Sequence, residues 1–494
     1  MKKLLPLVAA MALVSQAAYA DIINNKATTK QDGSGNTAIT TQSDVVHSEA
    51  TITQIGDDNK SEVSQSNSTE AMFATVLTEG DGNTANITQV NSWQAEAKIT
   101  QTGDMNQAGI IQRNWADDSV ATVTQTGDGN KANIAQRIKS GASTAIIRQV
   151  GSLDAVANIK QLDADSSFAT ITQSNYEGYS DNGAVILQHD GLNLNATIDQ
   201  ESTVDDTALI DQTGDNQTAN IHQKNFNVRG NTSITQTGAG NLATIDQTWS
   251  GGSTAAVIQA GSGNIAGIDQ YDSDDSFADI NQDGSSQNAN IIQKNAPGVG
   301  AGQGNDADII QTGGSNESAI MQDGYRNTAM LTQGDTGNKA FVDQTGNDNE
   351  ATVLQTGSGQ VADVDQVGDT HKANVTQADG SNEAEIIQGG SLNVAIVNQI
   401  GSGQYANVNQ SGASNLSDID QSVTGNFADI DQSGAFNDAD IDQAGTYNEA
   451  FIVQSGAGML GSLNSAIISQ TASNDYASIT QTIGAGNSAT ITQQ

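Results

Sequence analysis

Residues 119–136 read SVATVTQTGDGNKANIAQ, and the reading of this stretch decides the fold. Its second half, NKANIAQ (130–136), alternates with a period of two. Asn130, Ala132, Ile134 and Gln136 share one face, and Lys131, Asn133 and Ala135 the other. Alternate side chains of a strand point to opposite faces, so the pattern predicts a β-strand. The spacer TGDG (126–129) places a glycine two residues after a glutamine. Gly and Asn accept the positive φ of tight turns, so the spacer predicts a turn. Ile, Val and Thr fill the strands, as β propensity asks.

The unit recurs along the chain. Gln311, Gln322, Gln333, Gln344, Gln355, Gln366, Gln377, Gln388, Gln399, Gln410, Gln421, Gln432, Gln443 and Gln454 follow one another at steps of 11 residues. Upstream the steps mostly alternate between 11 and 12 or 13, as at Gln101, Gln112, Gln125, Gln136 and Gln149. Counted from Gln42, with Thr78 standing in once, there are 39 units. A helix fails because the apolar spacing is two and a glycine recurs in every would-be helix. A disordered chain has no reason to keep a strict register.

The shared face is Asn or Ser, then Ala, then Ile or Val, then Gln. Two such faces packed together make a thin core. If two units form one turn, of about 22 residues, each turn places Gln over Gln and Asn over Asn, and stacked amides hydrogen-bond along the axis at roughly 4.8 Å. Inward amides would otherwise be costly buried polar groups. The predicted fold is therefore all-β: a β-solenoid, cross-β in character, of strand–turn–strand repeats with two units per turn. At about 19 or 20 turns the rod would be about 90–95 Å long.

Composition agrees. The 494 residues are 36% apolar and 4% aromatic, with 51 Gly, 2 Pro and no Cys, which leaves little for a conventional core. Residues 1–20, MKKLLPLVAAMALVSQAAYA, have the basic start, short apolar run and small-residue ending of a secretory signal peptide, with cleavage expected before Asp21. Residues 21–35 form an N-terminal segment and 36–494 the repeats. Insertions are expected near 174–183, 294–304 and 455–464, the second holding Pro297. Without the leader, 16 basic residues face 57 acidic ones, a net charge of −41. Such a chain favours neither nucleic acid nor anionic lipid. It has no further apolar run long enough to insert in a membrane.

The spacing Ser-x5-Gln-x-Gly-x-Gly-Asn-x-Ala-x-Ile/Val-x-Gln, seen in residues 119–136 and again in STAAVIQAGSGNIAGIDQ (253–270), resembles the curlin repeat of curli, the functional amyloid fibres of bacteria. The resemblance runs from about Asn36 through the rest of the chain. It implies a β-solenoid fibre subunit of a Gram-negative-type bacterium. Such a subunit is secreted unfolded, by way of the periplasm and a dedicated outer-membrane pore, meets a nucleator subunit at the cell surface, and polymerises with itself into fibres for adhesion and biofilm matrix. By analogy residues 21–35 would address the chain to the pore. The chain departs from the familiar subunits in having far more repeats and more acid. It also sets Gln360, Gln404 and Asp475 where the repeat has Asn. Two alternatives stand beside the fibre subunit: a surface-displayed solenoid adhesin that does not polymerise, and a minor nucleating subunit.

No catalytic, cofactor or metal site is expected. His47, His189, His222 and His371 share no spacing, and zinc sites lean on Cys. The pairs Asp205-Asp206 and Asp274-Asp275 read as solvated turns. The Gly-rich calcium nonapeptide has a different period and Asp position. Gly298-Val299-Gly300 precedes no helix and reads as a linker. ATIT at residues 50, 169 and 489 is too sparse for an ice-binding array. Asp343 and Asp365, Asp418 and Asp440, and Asp420 and Asp442 lie 22 residues apart, so each pair should stack and repel by about 1 kcal/mol in water. Such columns would slow premature assembly and release it at low pH, high salt or with divalent cations.

Overall fold

The computed structural model describes residues 24–175, 181–225, 227–294, 304–459, 461–482 and 484–494. The signal-peptide reading, Pro297 and Gly298-Val299-Gly300 lie outside them. The described residues form 40 strands, in two compact units, Met1–Gly251 and Gly252–Gln494. The first unit runs from β1 (Lys26–Asp32) to β19 (Leu242–Thr248), and the second from β20 (Thr254–Ser262) to β40 (Ser488–Gln493).

Each unit is built alike. Odd-numbered strands pair with odd-numbered strands, even with even, and every pairing is parallel. Two strands therefore make one turn of a solenoid, as the period predicts. Register follows the repeat: β10 (Lys131–Arg137) sets Ala132, Ile134 and Gln136 against Ala108, Ile110 and Gln112 of β8 (Gln107–Arg113). A slip of one residue would turn every Ala, Ile and Gln outward, so burial enforces this register.

The core is two columns of Ala and two of Ile or Val per unit, nearly all fully buried. Burying one Ile contributes about 1.5–3 kcal/mol, so a turn gains only a few kcal/mol of apolar burial. The aromatic side chains among the described residues stay out of this core. Tyr405 and Phe427, for example, stack on the outer face at 5.0 Å.

The repeats begin earlier than Asn36. Strand β1 lies within residues 21–35 and pairs in register with β3 (Glu49–Ile55), Gln31 facing Gln54. It carries Thr29 in the slot where other strands hold Ile or Val, which hid it from the apolar pattern. The glutamine stack continues across the expected insertions. Glutamines that meet across them are separated by 27 residues around 174–183, 29 around 294–304 and 27 around 455–464. In the last of these, Met459 and Ser462 form a small antiparallel bridge.

Candidate assembly ladder

The glutamines form two columns in each unit. In the second unit one column passes from Gln259 through Gln282, Gln311, Gln333, Gln355, Gln377, Gln399, Gln421, Gln443 and Gln470 to Gln493, with Nε2–Oε1 distances of 2.8–2.9 Å. The other passes from Gln270 through Gln293, Gln322, Gln344, Gln366, Gln388, Gln410, Gln432 and Gln454 to Gln481 at the same spacing. All fourteen evenly spaced glutamines of the sequence thus lie in these columns, seven in each, and all are buried. In the first unit Asn130, Ala132, Ile134 and Gln136 are buried together, and Gln136 bridges Gln112 and Gln161 at 2.9 Å each.

Each amide has a second task. Gln344 donates to the Thr328 carbonyl at 3.1 Å, and Gln366 to that of Glu350 at 3.1 Å, across the core on the opposite sheet. One N–H therefore runs along the axis and the other clamps the two sheets. The transverse bond also sets the amide's sense, because only the NH2 side can donate.

Asparagine works differently from the amide-on-amide stack expected of it. Asn349 receives the backbone N–H of His371 on its Oδ1 at 3.0 Å and donates through Nδ2 to the Gly368 carbonyl at 2.9 Å. Asn59, Asn83, Asn327 and Asn338 repeat the donation to a turn glycine. Amide-to-amide bonds occur at a few positions, such as Asn437 to Asn415 at 3.1 Å. The asparagine column thus ties side chain to turn backbone, satisfying groups a turn would leave bare.

Departures from Asn show the same logic. Gln217, Gln287, Gln360 and Gln404 fill the slot, and each leaves its Oε1 buried without a partner. The extra methylene carries the oxygen past the N–H it should meet. His371 also fills the slot and accepts the Asn393 N–H on Nδ1 at 3.4 Å. Burial holds its pKa below the usual histidine value. Its place was invisible to a search for histidine spacing.

Thr78 is the break in the first unit. It leaves its own Oγ1 and the Oε1 of Gln101 buried without partners. Thr78→Gln is expected to restore both axial bonds and add about 1–2 kcal/mol, since each unmet buried group costs about 1–3. The check is hydrogen exchange of the flanking turns, which should slow by about tenfold or more. Unchanged or faster exchange would show that the slot does not accept the longer side chain.

Asp206 corrects the reading of Asp205-Asp206 as a solvated turn: it is fully buried in an asparagine slot. Its Oδ1 accepts the Gly230 N–H at 2.7 Å and its Oδ2 the Asn227 Nδ2 at 3.0 Å. Burial pushes its pKa up to about 7, against the pull of these two donors. A folded pKa above the unfolded one means the native state holds the proton longer. This group's stabilisation is complete below pH about 4 and is lost as pH rises to about 7. Asp206→Asn should flatten that slope and raise stability at pH 8 by about 1–3 kcal/mol, read by denaturant titration at pH 5 and 8. A wild-type slope retained in the variant would assign it to other groups.

The carboxylate columns stack as the spacing predicts: Asp343 over Asp365, Asp418 over Asp440, Asp420 over Asp442. Partial burial, then neighbouring carboxylates, raises the pKa of Asp343 and Asp440, and partial burial raises that of Asp365. Asp418 and Asp308 are pushed up to about 6 by burial first and flanking Asp residues second. In the first unit Asp57, Asp81, Asp104 and Asp128 stack in the turns, each taking a backbone N–H of the preceding turn at 2.7–2.8 Å. The Ser34 N–H holds Asp57 below the usual carboxylate value.

His189 and His222 each lie beside one Asp, at 3.8 and 2.6 Å. Among the described residues no group of three or more His, Cys, Asp or Glu is arranged to hold a metal ion. No described helix is long and apolar enough to cross a membrane.

Seven segments match the family described as the Curlin associated repeat: residues 24–66, 302–334, 326–357, 346–378, 381–412, 424–456 and 461–494. The first begins ahead of Asn36 and takes in β1. No curated protein matches the chain.

Proposed function

The chain belongs to the curlin-repeat family, and on that footing we propose that it is the structural subunit of an extracellular, curli-like amyloid fibre serving adhesion and biofilm matrix. Its partners in this reading are copies of itself, a nucleator subunit and an outer-membrane secretion pore, reached through the periplasm behind a cleaved leader. One observation carries the reading. Each turn presents to the next the same surface, a parallel edge with two glutamine amides in fixed sense, so a turn from a second copy meets it as a turn of the same chain does. The pairing of β38 (Asn464–Gln470) with β40 repeats this contact, Ala466, Ile468 and Gln470 meeting Ala489, Ile491 and Gln493. A parallel edge with apolar and amide groups on its inner face is a template for another strand.

Seeded assembly tests this. The chain from Asp21 onward, diluted from denaturant, should show a lag that preformed seeds abolish. Its fibres should diffract at about 4.7 Å and 10 Å. The lag should shorten as pH falls from 8 towards 5, because the Asp308 and Asp418 carboxyls, with pKa values of about 6, are neutralised and cease to repel the Asp residues that flank each of them. A soluble β-rich rod that seeds never recruit would refute the fibre reading and favour the adhesin.

A further inference from the structure

The flat outer faces of the even-numbered strands are not uniformly acidic. Five successive strands of the first unit are β6 (Thr84–Val90), β8, β10, β12 (Val156–Asp165) and β14 (Gly183–Leu192). Their outward positions, up to the residue after each ladder glutamine, hold Arg113, Lys131, Arg137 and Lys160 and no Asp or Glu. The nearest acids of β12, Asp163 and Asp165, lie beyond that point, in the strand's last residues. Arg113 stacks directly over Arg137, and Lys160 faces Ala135, two residues from Arg137 on the same outer side. Like charges one strand apart destabilise a sheet, so this arrangement costs the isolated chain something. Among the described residues none of the four cations has an ion-pair partner. The Arg137 Nε is buried without a hydrogen-bond partner.

A matching face exists on the same chain. In the second unit β34 (Leu416–Thr424) and β36 (Asn437–Gln443) turn Asp418, Asp420, Asp438, Asp440 and Asp442 outward, with no cation among them. The four lysines and arginines described in that unit, Lys294, Arg326, Lys339 and Lys372, are each taken up by another carboxylate. Each face has the same spacing, steps of about 4.8 Å between strands and about 6.7 Å between outward residues along a strand. Cations and carboxylates can therefore meet in rows instead of at one chance pair.

We propose that the Arg113–Arg137–Lys160 face docks side by side on the β34–β36 carboxylate face of a second copy of this chain. This goes beyond end-to-end stacking and does not depend on it: the contact lies on the flank of the solenoid. Where fibres form, it would bundle them.

The test uses the full mature chain, kept soluble and below its seeding concentration. Sedimentation is followed at about 20 mM and about 300 mM salt, where charge steering is strong and largely screened. Wild type should self-associate at low salt only. The variants R113E/R137E/K160E and D418K/D420K/D440K/D442K should each lose association by about tenfold or more. An equimolar mixture of the two should recover it. All substitutions are on outward positions, and circular dichroism confirms the fold of each. A wild type that stays monodisperse at low salt would overturn the proposal, as would variants that associate normally or a mixture without rescue. So would a basic-face variant that loses only its binding to heparin, which would assign the face to a foreign polyanion. Seeded elongation, measured in parallel, should be unchanged in both variants, so failure of the fibre reading and failure of this one are separable.

Discussion

Gln366→Ala should open the solenoid locally by about 3–5 kcal/mol, although it removes no charge and no large apolar group. Gln366 accepts from Gln344 at 2.8 Å, donates to Gln388 at 2.8 Å and clamps the Glu350 carbonyl at 3.1 Å. Alanine leaves an N–H of Gln344 and the Oε1 of Gln388 without partners, each worth about 1–3 kcal/mol where burial keeps water out, and removes the clamp on the Glu350 carbonyl. It also leaves a cavity that the rigid sheets cannot close. Solenoid stability is nearly a sum of local terms, so the loss should stay local. Hydrogen exchange of the turns around residues 344, 366 and 388 should rise by about a hundredfold or more, with distant turns little changed. An increase spread evenly over the second unit would show that it opens as one block. No increase at all would mean that water fills the gap at no cost.

Gly368→Ala should be worse, costing about 4 kcal/mol or more, in the tail reserved for specific backbone damage. Gly368 has φ +129°, and a Cβ built on it would lie 2.0 Å from the Gly390 carbonyl oxygen of the next turn. Gly346 and Gly390 stand in the same column with the same obstruction. The methyl group would push along the axis, where neighbouring turns are held at strand spacing on both sides. Gly403 supplies the control. Its φ is +66°, in the left-handed region that Asn and Asp accept, and a Cβ there meets nothing within 4 Å. Gly403→Asn should therefore change stability by less than about 1 kcal/mol. Denaturant midpoints of the two variants make the comparison. Equal midpoints would refute the claim that axial approach, and not turn flexibility, demands glycine at position 368.

The two glycines also show where the sequence was and was not enough. Alternation in NKANIAQ and the fixed step of the glutamines carried the strands, the two-strand turn and the stacking of Gln311 to Gln454, because period-two burial leaves a single register. That one glycine is obligatory and another replaceable could not be read from spacing, since it depends on what the next turn places above each. The asparagines were legible as inward amides but not as turn clamps, for their partners are backbone groups that any sequence possesses. Strand β1 was hidden by Thr29, a polar residue in an apolar slot. Asp206 and His371 were hidden because they replace Asn one for one and keep its hydrogen-bonding role while changing its chemistry. The orphaned oxygen of Gln101 follows from a single Thr in a column of Gln, a signal present in the sequence and decisive only once the column exists.

The glutamine columns share a sense: in every bond traced, the earlier residue gives the N–H and the later one the oxygen. Aligned peptide dipoles make a helix electrically polar, and aligned side-chain amides do the same for these rows. The two rows of a unit run in parallel, so their fields add and do not cancel. Reversing one amide would set donor against donor on one side and oxygen against oxygen on the other, and would forfeit its clamp on the opposite sheet. Each unit is in this respect a small electret, poled during folding and locked by its own geometry, and it should align in an applied field.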